Sequence, residues 1–130
     1  MLILVVCTGS LRQTWRMRPK PEVEPNNFFD LDVRIGRVVS VRPHETARNA
    51  AYVVEVDFGL LGVRTTSAQI AHYDADELRD RLVVGAVNIG ARQIAGVRSE
   101  FLMLGAYSTD GRVHLLSVDQ PGPEPGDVIG

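Results

Sequence analysis

The sequence predicts an all-β domain of five strands, with one short helix between the third and fourth strands and a strand extension at the C-terminus. Three observations predict it. Apolar and polar residues alternate at period two, most cleanly where Tyr52, Val54, Val56 and Phe58 interleave with Val53, Glu55 and Asp57. Clusters of Gly, Pro, Asn and Asp punctuate these runs at short intervals. Only the segment from Asp74 to Leu82 pairs a helix-start signal with helical apolar spacing. With 130 residues, 45% hydrophobic and 23% charged, the chain has the makeup of one globular domain, able to bury a core without disulfide or metal.

Residues 1–27 stand apart as an N-terminal extension and Pro-rich linker, with Pro19, Pro21 and Pro25 close together. Met17 is a natural internal start, so residues 1–16 read as an upstream extension or a misassigned start. The alternative is a true first strand built on Ile3, Val5 and Val6. The domain proper is expected over 28–130. Asn27 can cap a short turn, with Phe28 or Phe29 as a hydrophobic plug. DVRIGRVVSVR (32–42) reads as a long strand, with Gly36 as the place for a bulge or bend and Pro43 as its end. The strand at 52–58 follows, then the turn GLLG (59–62) and a third strand from Val63, with Thr65 and Ser67 in phase.

Asp74 followed by Glu77 predicts a capping box, and Leu78 with Leu82 gives a small apolar stripe for a helix of two to three turns. LVVGAVNIG (82–90) is a buried strand, and ARQIAGVR (91–98) a loop with glycine at its apex. SEFLMLGAYS (99–108) is the next strand, turning at Thr109-Asp110-Gly111 into VHLLSV. PGPEPG (121–126) breaks the chain before a last short strand, DVIG. This order is that of a five-stranded Greek-key barrel of the OB type.

Composition excludes several functions. Cys7 is the lone cysteine and cannot form an intrachain disulfide, and with the dispersed His44, His72 and His114 it makes no zinc-type ligand set. No metal or other cofactor is expected. The longest apolar run, 1–7, is too short to span a membrane and lacks the features of a secretory signal, so membrane insertion is not expected and a cytoplasmic protein is. Asp74, Asp76, Glu77 and Asp80 lack the ligand spacing of a calcium loop and read as helix capping and solvation. Thr65, Thr66 and Ser67 have no base placed beside them by the sequence, and His114 reads as a strand-surface residue. No phosphate-cradling glycine motif is present. The chain is not expected to be an enzyme.

A binding function has more to stand on. The net charge is −2, yet residues 1–20 carry four basic residues and no acid, and all basic residues but Lys20 are arginine. Any nucleic-acid site must therefore be local. Asn88, Arg92, Gln93, Arg98 and Ser99 gather in one loop and its flanks, where long donors and amides can meet bases and phosphates. Arg48 and Arg64 can share that wall, because OB folds bind through strands two and three and the adjoining loops.

From about Phe28 onward the chain resembles the CsaA-type tRNA-binding-domain proteins, relatives of the C-terminal tRNA-binding module of some methionyl-tRNA synthetases and of the EMAP II domain. The resemblance is carried in order by DVRIGRVV (32–39), ETARNAAY (45–52), VEVDFG (54–59), TTSAQI (65–70), AVNIGARQI (86–94) and SEFLMLGA (99–106). It implies an OB-fold homodimer that binds tRNA without catalysis, with Asn88 and Ser99 in the contact patch, Arg92 and Arg48 as loop cations, and Arg64 as a basic strand position. Ser67 and Gln93 complete the expected tRNA-binding set. CsaA proteins have also been described as chaperones, which implies unfolded or export-destined polypeptide as the alternative partner. Where members of this type read Asn-Phe-Pro-Pro-Lys-Gln-Ile, this chain reads Asn88 to Ile94 as NIGARQI. That removes an aromatic and two prolines. Asn49 replaces a lysine and Leu102 a methionine found in other branches, so the implied contact set is thinner than usual.

Overall fold

The computed structural model describes residues 18–130. The expectations for residues 1–16, for the internal start at Met17 and for an early strand lie outside the described residues. Pro25 opens a five-residue helix, α1 (Pro25–Phe29). Its fixed φ suits the first helical turn, and its missing N–H is one that the helix would leave unused. The cap position is Glu24, and Asn27 lies inside the helix, contrary to the sequence reading. Among the described residues, Phe28 and Phe29 plug no part of the core. They remain 49% and 66% exposed, edge to face with ring centroids 5.3 Å apart.

Strands β1 (Val33–Pro43), β2 (Tyr52–Asp57) and β3 (Val63–Ala68) form an antiparallel meander, with a single 3-10 turn, Gly59–Leu61, between β2 and β3. Helix α2 (Ala75–Leu78) leads into β4 (Leu82–Ala86), which pairs with the other edge of β1. Two short hairpins and a short strand follow: β5 (Arg92–Ile94) with β6 (Val97–Ser99), β7 (Leu102–Met103) on β4, and β8 (Gly105–Tyr107) with β9 (Val113–Leu115). The sheet runs β3-β2-β1-β4-β7, and β10 (Val128–Ile129) adds to the start of β1. Segment 99–101 then returns to β3, where the Glu100 N–H donates to the Thr65 carbonyl at 2.7 Å. The result is a nearly closed, OB-like antiparallel barrel.

Val38, Val41, Val54, Val56, Phe58, Val83, Val87 and Phe101 fill the barrel. A second small cluster, Val33, Val84 and Ala86 with Leu104 and Ile129, sits on the opposite face of β1 and β4. Strand β4 is thus buried on both faces, which accounts for its unbroken apolar run.

Further expectations need correction. The bulge in β1 falls between Val38 and Ser40, not at Gly36. The extra residue keeps Ser40, opposite Glu55, on the outer side after exposed Val39 and returns Val41 to the core opposite Val54, so Val38 and Val41, three residues apart, both face inward. Gly36 instead leaves room for packing, since a Cβ there would lie 2.4 Å from Val56 Cγ1. Helix α2 is only four residues long: Arg79 is already extended (ψ 137°), Asp80 then turns into the left-handed region (φ 65°), and Leu82 belongs to β4. Its start is as expected, with the Asp74 N–H donating to Glu77 Oε1 at 2.8 Å. The run from Ser99 to Ser108 is not one strand. Leu104 still bonds to Val84, and the chain then leaves β4 at Gly105 for β9.

The segment read as a glycine-tipped loop at 91–98 is an ordered hairpin. Ile94 pairs with Val97, leaving Ala95 and Gly96 as a two-residue turn with φ of 46° and 87°. Positive φ at both central positions defines the type I′ hairpin turn, which favours Asn or Gly at its first position. Ala95→Asn is therefore expected to raise stability by about 0.5 kcal/mol, measured as a shift in the urea midpoint.

Candidate nucleic-acid interface

The β5–β6 hairpin projects from the wall of the barrel. Strand β5 is exposed throughout, while Ser99 at the end of β6 is buried. Between the hairpin and β3 lies a shallow depression of about 290 Å³, lined by Arg64, Val87, Gly90, Ala91, Arg98 and Glu100. Arg64 Nη1 donates to the Val87 carbonyl at 2.6 Å, so the half-buried guanidinium is held in the wall with its other N–H groups still to offer. Glu100 Oε1 accepts the Thr65 N–H at 2.9 Å, and its other oxygen lies 3.9 Å from Arg98 Nε. An acid thus sits inside the basic wall, a feature that the sequence reading did not single out.

The candidate residues divide into two groups. Gln93 and Arg98 are cross-strand partners on one face of the hairpin, and Arg92 and Ser99 are partners on the other. Arg92 is exposed but does not line the depression, and Arg48 is exposed in the loop after β1. Asn88, Ser67 and Ser99 all bond within the chain, Asn88 at the surface and the two serines in the barrel wall. Asn88 Oδ1 accepts the Asp32 N–H at 2.8 Å and its Nδ2 donates to the Asp30 carbonyl at 2.9 Å, tying the end of β4 to the turn after α1. Next to this tie, Arg34 bonds to the Asp32 carboxylate, which raises the guanidinium pKa above its ordinary value. Removing both amide bonds by Asn88→Ala is expected to cost about 1 kcal/mol, checked by chemical denaturation. Ser99 Oγ accepts the Ser67 N–H at 3.0 Å and lies 2.9 Å from Thr66 Oγ1, which donates to the Phe101 carbonyl at 3.0 Å.

His44, which the sequence left as one of three scattered histidines, is buried beside this network. Its Nδ1 lies 2.6 Å from Ser67 Oγ and its Nε2 3.1 Å from the Ala95 carbonyl. A carbonyl only accepts, so Nε2 carries a proton and donates to Ala95. A serine and histidine in contact can form a nucleophile–base pair, but neither residue lines the depression. Among the described residues no group of three or more His, Cys, Asp or Glu could hold a metal ion, and no helix is long and apolar enough to cross a membrane.

The chain matches the family model described as "Putative tRNA binding domain" over residues 33–127. It is 34% identical over 112 residues to aminoacyl tRNA synthase complex-interacting multifunctional protein 1 of Cricetulus griseus, covering 85% of this chain and 30% of that protein. It is 37% identical over 99 residues to the methionine–tRNA ligase of Pyrococcus abyssi, covering 75% of this chain and 13% of the ligase. The chain therefore spans less than a third of either relative. Among solved structures, the CsaA chaperone protein of Picrophilus torridus superposes with a TM-score of 0.79 at 39% identity, covering 84% of this chain and all of that one. The CsaA chaperone of Bacillus anthracis gives 0.79 at 35% identity, covering 85% of this chain and all of that one. A barrel with a polar hairpin over an arginine-walled depression and sequence matches along most of its length lead to one assignment: the chain belongs to the tRNA-binding-domain family, in its CsaA-like form.

Proposed function

We propose that the chain is a non-catalytic, cytoplasmic tRNA-binding protein that works as a homodimer. The observation that carries the reading is the β5–β6 hairpin. It adds little to the core, yet it is held on the barrel wall with Arg92, Gln93 and Arg98 on its strands and Arg64 beneath it. In this reading Arg48, Arg64 and Arg92 meet phosphates, while Asn88, Ser67 and Ser99 fix the backbone that presents them. Gln93 offers an amide at closer range. The binding module then recognises the shape of a folded RNA more than its sequence.

The homodimer is supported by apolar surface at the chain ends. Phe28, Phe29, Leu31 and Val128 are all exposed in the single chain. Sedimentation should give a dimer mass, and Phe28→Ala with Phe29→Ala should shift it toward monomer. A monomeric wild-type chain would remove this part of the reading.

One observation favours polypeptide as a second partner. Ile89 and Ile94 are exposed before and after Arg92 in the sequence, at 39% and 42%, and both CsaA neighbours are described as chaperones. Titrating fluorescent unfractionated tRNA with the chain, in competition with a permanently unfolded polypeptide, separates the two. Binding displaced by unlabelled tRNA but not by polypeptide supports the tRNA reading. Displacement by polypeptide alone supports the second.

A further inference from the structure

The two segments that carry the exposed candidate arginines are joined through a shared acceptor. The Ala95 carbonyl, at the tip of the β5–β6 hairpin, accepts from Thr46 Oγ1 at 2.7 Å and from His44 Nε2 at 3.1 Å. Both donors belong to the loop between β1 and β2, and Arg48 lies two residues beyond Thr46. His44 is fixed in turn by Ser67, whose backbone N–H reaches Ser99 at the base of the hairpin. One chain of hydrogen bonds therefore ties the hairpin at tip and base. Ala95 holds a left-handed φ of 46°, an unfavourable conformation for alanine that the two incoming bonds help to stabilise.

We propose that His44 and Thr46 are positioning residues for RNA binding, locking the hairpin to the 44–51 loop so that Arg92 and Arg48 are presented in a fixed relation. The inference rests on the reading of this surface as a tRNA interface. A hairpin with three residues per strand is not stable by itself and would otherwise wander. Ordering two mobile arms on contact with RNA would weaken binding by the entropy lost at that step, and a tie formed beforehand removes most of that loss. Thr46 suits a test of this idea because it is exposed, so its hydroxyl can be removed without opening the core.

The test compares the wild-type chain with Thr46→Val, which keeps the shape without the donor, and Thr46→Ser, which keeps the donor. For each, tRNA affinity, melting temperature and amide hydrogen exchange over residues 92–98 are measured. Thr46→Val is expected to bind tRNA about fivefold more weakly, with faster exchange in the hairpin and an unchanged melting temperature, while Thr46→Ser stays at wild type. Faster exchange with unchanged affinity would overturn the positioning role. Unchanged exchange and unchanged affinity would overturn the tie itself. If the wild-type chain fails to bind tRNA at low salt, the reading of the interface falls and the positioning role falls with it, while the exchange measurement still decides whether the tie exists.

Discussion

Phe58→Ala is expected to lower folding stability by about 3–5 kcal/mol, read as a fall in the urea midpoint with little change in slope. Phe58 is fully buried at the end of β2, and its ring meets that of Phe101 edge to face at 4.9 Å and 79°. Two glycines on neighbouring strands make room for it. A Cβ on Gly36 would lie 2.8 Å from Phe58 Cε1, and one on Gly85 3.1 Å from Phe58 Cζ. Atoms so closely fitted cannot collapse into the space left by a lost ring, so transfer and cavity costs add. Against the roughly 5–15 kcal/mol by which domains of this size are stable, the variant would be marginal. A loss below about 1 kcal/mol would show that the barrel is not centred on this ring.

The second large effect is on binding. Arg48→Ala combined with Arg92→Ala is expected to reduce tRNA affinity about 100-fold at low salt, if each guanidinium supplies one charge-assisted contact of about 1.5 kcal/mol. The salt dependence should flatten at the same time, with the slope of log affinity against log salt falling by about two. Both residues are exposed, so the melting temperature should stay within a degree or so of wild type. Loss of affinity with an unchanged slope would mean that the two arginines act through local structure and not on phosphates.

The parts of the fold that could be read from sequence are those set by local pattern. The alternation at 52–58, the Asp74–Glu77 pair and the turn at Thr109 to Gly111 each point to one element, and all three are present. What pattern missed was decided by distant neighbours. Gly36 suggested a bulge because a mid-strand glycine signals irregularity, but it is glycine because Val56 and Phe58 occupy the space of a side chain. The 92–99 hairpin was hidden because Ala-Gly is a weak turn signal, and its carbonyl is held by residues 49 and 51 positions away. For the same reason, residue type points to Arg48, Arg64, Arg92 and Gln93 as candidates, whereas nothing in the sequence singles out His44 or Thr46. The bonds that engage Asn88, Ser67 and Ser99 within the chain are equally invisible until the backbone atoms they satisfy are in place.

The central claim is that this barrel binds RNA through phosphate contacts at the hairpin wall. It is tested most directly by measuring tRNA affinity as a function of salt, with an unfolded polypeptide measured alongside. A steep fall in tRNA affinity with rising salt, alongside no polypeptide binding, is the expected result. No tRNA binding at low salt, together with polypeptide binding insensitive to salt, would contradict it.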